Sequence, residues 1–115
     1  MMQDLQSIQS ELQNSKGQWR WHAAQTISEI LSGCLATYGR VAEITNQRHG
    51  LNIVPRNVGW LRGYLYFLRG HETAVPLHRI AKVGDVKSLA DSPDTKKWND
   101  QRRGQEGSLQ NPLWW

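Results

Sequence analysis

Ala24-Gln25-Thr26-Ile27-Ser28-Glu29-Ile30-Leu31-Ser32-Gly33-Cys34-Leu35-Ala36-Thr37-Tyr38-Gly39-Arg40-Val41-Ala42 is the stretch on which the fold turns. Ala24, Ile27, Leu31, Cys34, Tyr38 and Val41 recur at alternating spacings of three and four, and Ile30, Leu35 and Ala42 widen the stripe into a band. That spacing places apolar side chains on one face of an α-helix. Extended to its polar flanks, the pattern predicts one helix from about Gln18 to Arg48, which at ~1.5 Å per residue would run roughly 45 Å. Arg48 and His49 suit the negative pole of such a helix, and Gly50 is a natural stop. Gly33 and Gly39 would each weaken it by up to ~1 kcal/mol, and are expected where another helix crosses closely.

Working outward, Leu5, Ile8 and Leu12 mark a short amphipathic helix within residues 1–14, followed by the turn-rich Asn14-Ser15-Lys16-Gly17. Ser15 with Gln18 has the form of a capping box for the helix that follows. On the other side, Pro55 followed by Asn57 as cap predicts a third helix over about 57–70, ended by Gly70. Val58, Trp60, Leu61, Tyr64, Leu65, Phe67 and Leu68 cover about half of its circumference. Arg62, Tyr66 and Arg69 share the other half with Gly59 and Gly63, which leave room for a backbone, phosphate or helix to approach. A strand within 63–69 is the rival reading.

Residues 71–90 support two readings. Pro76 can open a short helix with Leu77, Ile80, Ala81 and Val83, while Gly84-Asp85 can turn a hairpin. A helix pair is preferred. A DNA-binding helix-turn-helix here would need glycine at 85, where Asp85 stands. Beyond Ala90 the composition is polar with almost no apolar periodicity, which predicts a flexible tail over 91–115. Its end, Pro112-Leu113-Trp114-Trp115, is an aromatic anchor that either tucks back onto the domain or docks in a partner's groove. The expected fold is therefore all-α: a small bundle on one long central helix, its helical core domain spanning 15–90. The alternative is α+β with a small hairpin at 79–89.

The chain of 115 residues, 38% of them hydrophobic, has room for one modest core and a less apolar remainder. Cys34 is the only cysteine, so no internal disulfide is available, and its apolar neighbours suggest a small buried hydrophobe. No apolar run is long enough to cross a membrane, and Met1-Met2-Gln3-Asp4 lacks the layout of a signal peptide. A cytoplasmic, intracellular and reducing location is expected. The net charge is +4. Within 48–82, Arg48, Arg56, Arg62, Arg69, Arg79 and Lys82 face only Glu72, whereas 90–115 balances four bases with four acids (Lys96, Lys97, Arg102, Arg103; Asp91, Asp94, Asp100, Glu106). The basic field therefore belongs to the middle of the chain and attracts phosphate or an acidic protein surface.

Catalytic chemistry finds little support. His22, His49, His71, His78 and Cys34 show no metal-ligand spacing, and phosphate-cradling glycine motifs and a nucleophile elbow are absent. Acids between 12 and 84 are limited to Glu29, Glu43 and Glu72, each read as a solvated charge. A non-enzymatic protein without cofactor or metal is expected.

The six tryptophans point to binding instead. Trp and Arg combine a large flat apolar face with a planar fork of donors, as recognition surfaces require. Trp19, Arg20, Trp21, Trp60, Arg62, Tyr66, Arg69, Trp98, Leu113, Trp114 and Trp115 are the candidate partner-binding residues. Arg48, Arg56, Arg62, Arg69, Arg79 and Lys82 are the candidate phosphate contacts. The leading expectation is an adaptor or inhibitor that binds a larger protein of a nucleic-acid-handling machine, by analogy with small phage or mobile-element modulators of host enzymes. Self-association through the long helix is compatible with it. The alternative is direct, non-sequence-specific binding of DNA or RNA by the basic segment, with Trp19, Trp60 or Tyr66 stacking on unpaired bases.

Overall fold

Where the apolar periodicity predicts one continuous helix, the chain breaks and restarts. A computed structural model describes residues 9, 12, 18–70, 75–81, 92–110 and 112–115. Helix α1 (Trp19–Ser28) ends as the Glu29 and Ile30 N–H groups tighten onto carbonyls three residues back, at Thr26 and Ile27. Gly33 then takes the left-handed conformation (φ 87°), and strand β1 (Cys34–Thr37) extends from it. Helix α2 (Tyr38–His49) starts at once, with the Thr37 hydroxyl accepting the Arg40 N–H at 3.0 Å, and stops at left-handed Gly50. The long central helix is therefore corrected to a helix, a strand and a helix. Consecutive burial of Leu35 and Ala36 explains the error, because a central strand covered on both faces leaves an unbroken apolar run.

Helix α3 (Pro55–Arg69) has the predicted type, not the rival strand. It begins two residues early. Pro55 needs no helical N–H partner in the first turn, and Asn57 caps from inside, its Oδ1 accepting the Val54 N–H at 2.8 Å. Val58, Leu61 and Leu65 form its buried stripe, meeting Ala23, Ala24 and Ile27 of α1 and Val41 and Ala42 of α2 in the core. Buried Thr26 and Thr45 join α1 to α2 through hydroxyls 2.9 Å apart.

A 3-10 turn (Leu77–Arg79) leads into strand β2 (Ile80–Ala81). Residues 82–90 lie outside the described residues, and so do the helix-pair and hairpin readings of that segment. Of the helix expected in 1–14, only Gln9 and Leu12 are described; both are helical, and Leu12 is completely buried.

The expected flexible tail is also corrected. It carries helix α4 (Pro93–Glu106) and strand β3 (Leu113–Trp114). The three strands form a parallel sheet in the order β2-β1-β3, pairing Ala36 with Ile80 and Cys34 with Leu113. Trp115 donates its N–H to the Leu35 carbonyl at 2.8 Å, so the chain end tucks back. The fold is mostly helical with a small parallel sheet. Order in α4 escaped the periodicity argument because its buried residues are Asn99 and Arg103, both polar.

Candidate functional site

The basic residues of the middle segment divide by what their charges meet. Arg48 is bound to Glu29. Arg79 faces inward, with Nη1 donating to the Ile30 carbonyl at 2.8 Å and two further bonds reaching Glu106. Both expected phosphate contacts are thus engaged by acids of the protein itself. Arg62 lies over the Tyr66 ring, 5.0 Å from its centre. The Arg69 side chain and Lys82 are outside the described residues. Arg56 stands exposed in the first turn of α3, which contains no acid.

Beside Arg56 opens a groove of about 520 Å³, lined by Thr37, Tyr38, Gly39, Pro55, Gly59 and Trp60 as well as Arg56 itself. One wall is the β1–α2 junction, placed by the Thr37 cap. The other is the start of α3, placed by Pro55. A Cβ on Gly59 would lie 3.4 Å from the Tyr38 ring, an ordinary van der Waals contact, so Tyr38 sits directly against this turn of α3. Trp60, the next residue, is 61% exposed. The groove thus combines two aromatic side chains with a cation at the positive end of a helix, where backbone N–H groups favour anions. Sequence reasoning missed Tyr38 and Gly39 as wall residues, because it placed both within one long helix, and it marked Gly59 only as a point of close approach. The paired glycines opposite a Tyr and a Trp were the available signal.

The structure disperses the remaining aromatic candidates. Trp19 and Trp21 are half-buried against the core, and Trp115 packs there too. The Arg20 guanidinium sits 5.3 Å from the ring centres of both Trp19 and Tyr64, tying α1 to α3. Trp98 on α4 is half-buried with the Arg102 guanidinium 4.6 Å from its ring centre. Leu113 and Trp114 are exposed in β3.

A polar cluster that the sequence did not announce joins α4 to the 3-10 turn. Arg103, only 1% exposed, donates from Nε to the His78 carbonyl at 2.7 Å and from Nη2 to the Ile80 carbonyl at 2.8 Å. Burial pushes the Glu106 carboxyl up, but hydrogen bonds from Arg79 and His78 and the charges behind them outweigh it and hold the group down at about 2. Glu106 is therefore ionised, which makes His78 Nε2–H the donor in their 2.9 Å bond. Burial lowers the His78 pKa, against the opposing pull of Glu106, with Arg79 and Arg102 adding to the decrease. Tyr66 donates from its hydroxyl to Asn99 Oδ1 at 3.0 Å, linking α3 to α4. This cluster is saturated by its own partners and serves as a structural clip.

Elsewhere His22 and His49 stack with ring centres 3.7 Å apart. Cys34 is a half-buried free thiol at the start of β1. Among the described residues, no three His, Cys, Asp or Glu side chains are grouped to hold a metal ion, and no helix is long and apolar enough to cross a membrane. Comparison with known protein families, with curated proteins and with solved structures finds no match for the chain.

Proposed function

We propose that the protein binds nucleic acid through the groove between the β1–α2 junction and α3, taking up an unpaired base beside Tyr38 and Trp60 while Arg56 meets the adjoining phosphate. The observation that carries this reading is the coincidence of size and chemistry. The space, about 520 Å³, falls within the range of small-ligand sites, its walls are aromatic and glycine-rich, and its one cation is an exposed arginine in an acid-free helix turn. α2 and α3 also form a helix pair whose second helix displays its first turns, as helix-pair DNA binders do. Their connection, residues 50–54, is longer than the roughly three- to four-residue turn of the standard motif. Single strands, or duplexes with an unpaired base, are accordingly the expected ligands.

Fluorescence anisotropy with a labelled single strand, a perfect duplex and a duplex carrying one unpaired base tests the reading. The first and third should bind more tightly than the second. Arg56→Ala should flatten the salt dependence by roughly one phosphate contact, a slope change of about 0.7 to 0.9. Trp60→Ala should cost about 1–3 kcal/mol, the range for one stacked base. An unchanged salt slope in Arg56→Ala, or absence of binding by the wild type at low salt, overturns the reading.

A second reading, an adaptor for a larger protein, is favoured by a different surface: Leu113 and Trp114 stand exposed in β3, and Leu31 is exposed in the turn that leads into β1. Capture of a partner from nuclease-treated lysate, lost on Trp114→Asp, would support it. Partners lost only on nuclease treatment would favour the groove.

A further inference from the structure

On α3 the exposed residues fall into one line. Arg56, Trp60, Gly63 and Phe67 are separated by four, three and four positions, which at 100° per residue keeps them within about 60° of the helix circumference. The opposite side holds Val58, Leu61 and Leu65, all buried in the core. Apolar residues at such spacing are the seam along which one helix meets another. Here the seam faces outward: Trp60 is 61% exposed and Phe67 84%, two turns or about 10 Å apart. Gly63 between them is exposed as well, and a Cβ there would meet nothing within 4 Å. The fold itself therefore gives no steric reason for a glycine, which weakens a helix interior. A second helix does, because a residue without a side chain lets two backbones approach and leaves a hole for an aromatic ring.

The seam is complementary to its own copy when the two helices run antiparallel. A two-fold axis beside Gly63 sets Trp60 of one subunit opposite the partner subunit's Phe67 and repeats that contact on the other side, with both glycines at the centre. Charge selects the direction. α3 contains no acid, so Arg56 has no carboxylate to meet on the second helix. In the antiparallel pair it lies instead against the other helix's C-terminal turn, whose carbonyls form the negative end of the helix dipole. The two arginines then stand about 20 Å apart, well beyond the ~8 Å screening length, whereas a parallel pair would bring them level. Burying the exposed parts of four aromatic side chains, at ~150–250 Å² each, removes roughly 600 Å² from water. That is half of the ~1,200 Å² at which stable interfaces begin, so the pair is weak and reversible.

We propose that the occupant of this face is a second copy of the chain, held as a symmetric antiparallel α3–α3 dimer that forms at about 10–100 µM. The pairing does not depend on the nucleic-acid reading. The exclusion of a groove ligand by the dimer does, because Trp60 also lines the groove. Association then withdraws the binding surface at high protein concentration, and a bound strand holds the chain as a monomer.

Sedimentation velocity of the full chain from about 5 to about 500 µM, bracketing that range, reads the association. Wild type should pass from monomer to dimer, and Phe67→Gln, which puts an amide where the ring would be buried, should weaken the dimer about tenfold or more. Phe67 is too exposed to serve the core, so the circular dichroism melt of this variant should match wild type at low concentration. Gly63→Cys in a Cys34→Ala background tests the axis. Under mild oxidation it should give a disulfide-linked dimer, whereas Arg56→Cys in the same background should not. A wild type that stays monomeric at about 500 µM, or a dimer indifferent to Phe67→Gln, overturns the pairing and gives the face to another protein or to a segment of this chain. Cross-linking through Arg56→Cys but not Gly63→Cys overturns the antiparallel register. A single strand of about fifteen nucleotides, added in excess, should return wild type to a monomeric complex. A dimeric complex instead keeps the pairing and overturns the exclusion alone, and failure to bind any strand overturns the groove reading while the dimer stands.

Discussion

Arg79 grips Glu106 with two bonds, Nε to Oε1 at 3.1 Å and Nη2 to Oε2 at 2.7 Å, across a separation of 27 residues. The pair fastens the end of α4 to the turn that precedes β2, and His78 adds a third bond to the same carboxylate. Planar fork against planar carboxylate is the strongest arrangement available to an ion pair. Removing one partner strands the other charge in a mostly buried place. Glu106→Gln is expected to lower unfolding stability by about 3 kcal/mol, the lower end for breaking a buried pair. Urea denaturation followed by circular dichroism measures it, and a loss below about 0.5 kcal/mol, the level of an ordinary surface substitution, would show that the grip is cosmetic.

The same cluster sets an acid limit. The Glu106 pKa is depressed from 4.5 to about 2 in the folded chain, so its stabilisation is complete above pH 4.5 and disappears as pH falls toward 2. His78 is lowered from 6.5 by burial first, so the folded state favours its neutral form and loses stability as pH drops below 6.5. His49 is lowered too, by burial, by the stacked His22 and by Arg48, and acts in the same direction. Thermal stability should therefore be flat above pH 7 and fall in two stages, the first below 6.5 and the second below 4.5. The carboxylate stage is worth about 2 kcal/mol once solvent screening is allowed for. In Glu106→Gln the second stage should shrink while the first persists. An unaltered low-pH limb would assign acid sensitivity to other carboxylates.

Arg103 is expected to resist conservative replacement. Its guanidinium serves the His78 and Ile80 carbonyls at once, a geometry set by the rigid fork, whereas a lysine ammonium is a single point at the end of a flexible stem. Arg103→Lys should cost about 2 kcal/mol, mainly from a carbonyl left without its donor. A differential scanning melt of the variant beside wild type provides the comparison, and an unchanged midpoint would mean that the lysine reaches both oxygens.

How far these features were legible follows from which residues face inward. Periodicity identified α3 from Val58, Leu61 and Leu65 because a single helical stripe is buried there. It failed at Cys34–Thr37, where Leu35 and Ala36 are both buried and a two-sided strand imitates the broad band of a helix. It failed again at α4, whose inward residues are Asn99 and Arg103. A polar side chain buried by long-range hydrogen bonds has no local signature, since its partners at His78 and Ile80 are more than twenty residues away. The groove was half legible: Trp60 and Arg56 announced themselves by type, but Tyr38 and Gly59 face each other only because β1 ends at Thr37 and α2 starts at Tyr38.

Gly33 marks the break that the periodicity concealed, and its conformation makes a test. With φ at 87° and the site of a Cβ 3.3 Å from the Glu106 carbonyl oxygen, alanine there would be strained in its backbone and crowded by a neighbour that cannot rotate away. Gly33→Ala should cost about 1–3 kcal/mol. Were residues 18–48 one helix, the same substitution would instead stabilise by up to ~1 kcal/mol. The sign of the change in urea midpoint decides between the two backbones.

Gly63 gives the opposite expectation and connects stability to binding. It lies inside α3, exposed, and a Cβ there would meet nothing within 4 Å. Alanine has better helix propensity and removes unfolded-state freedom, so Gly63→Ala should raise stability by about 0.5–1 kcal/mol. Gly63 also lies one turn beyond Gly59, a wall residue of the groove. If a bound single strand runs there with its backbone close to the helix, the added methyl group should weaken its binding severalfold while the protein itself becomes more stable. A stabilised variant with unchanged affinity would displace the strand from this side of α3 and limit contact to the groove at Arg56 and Trp60.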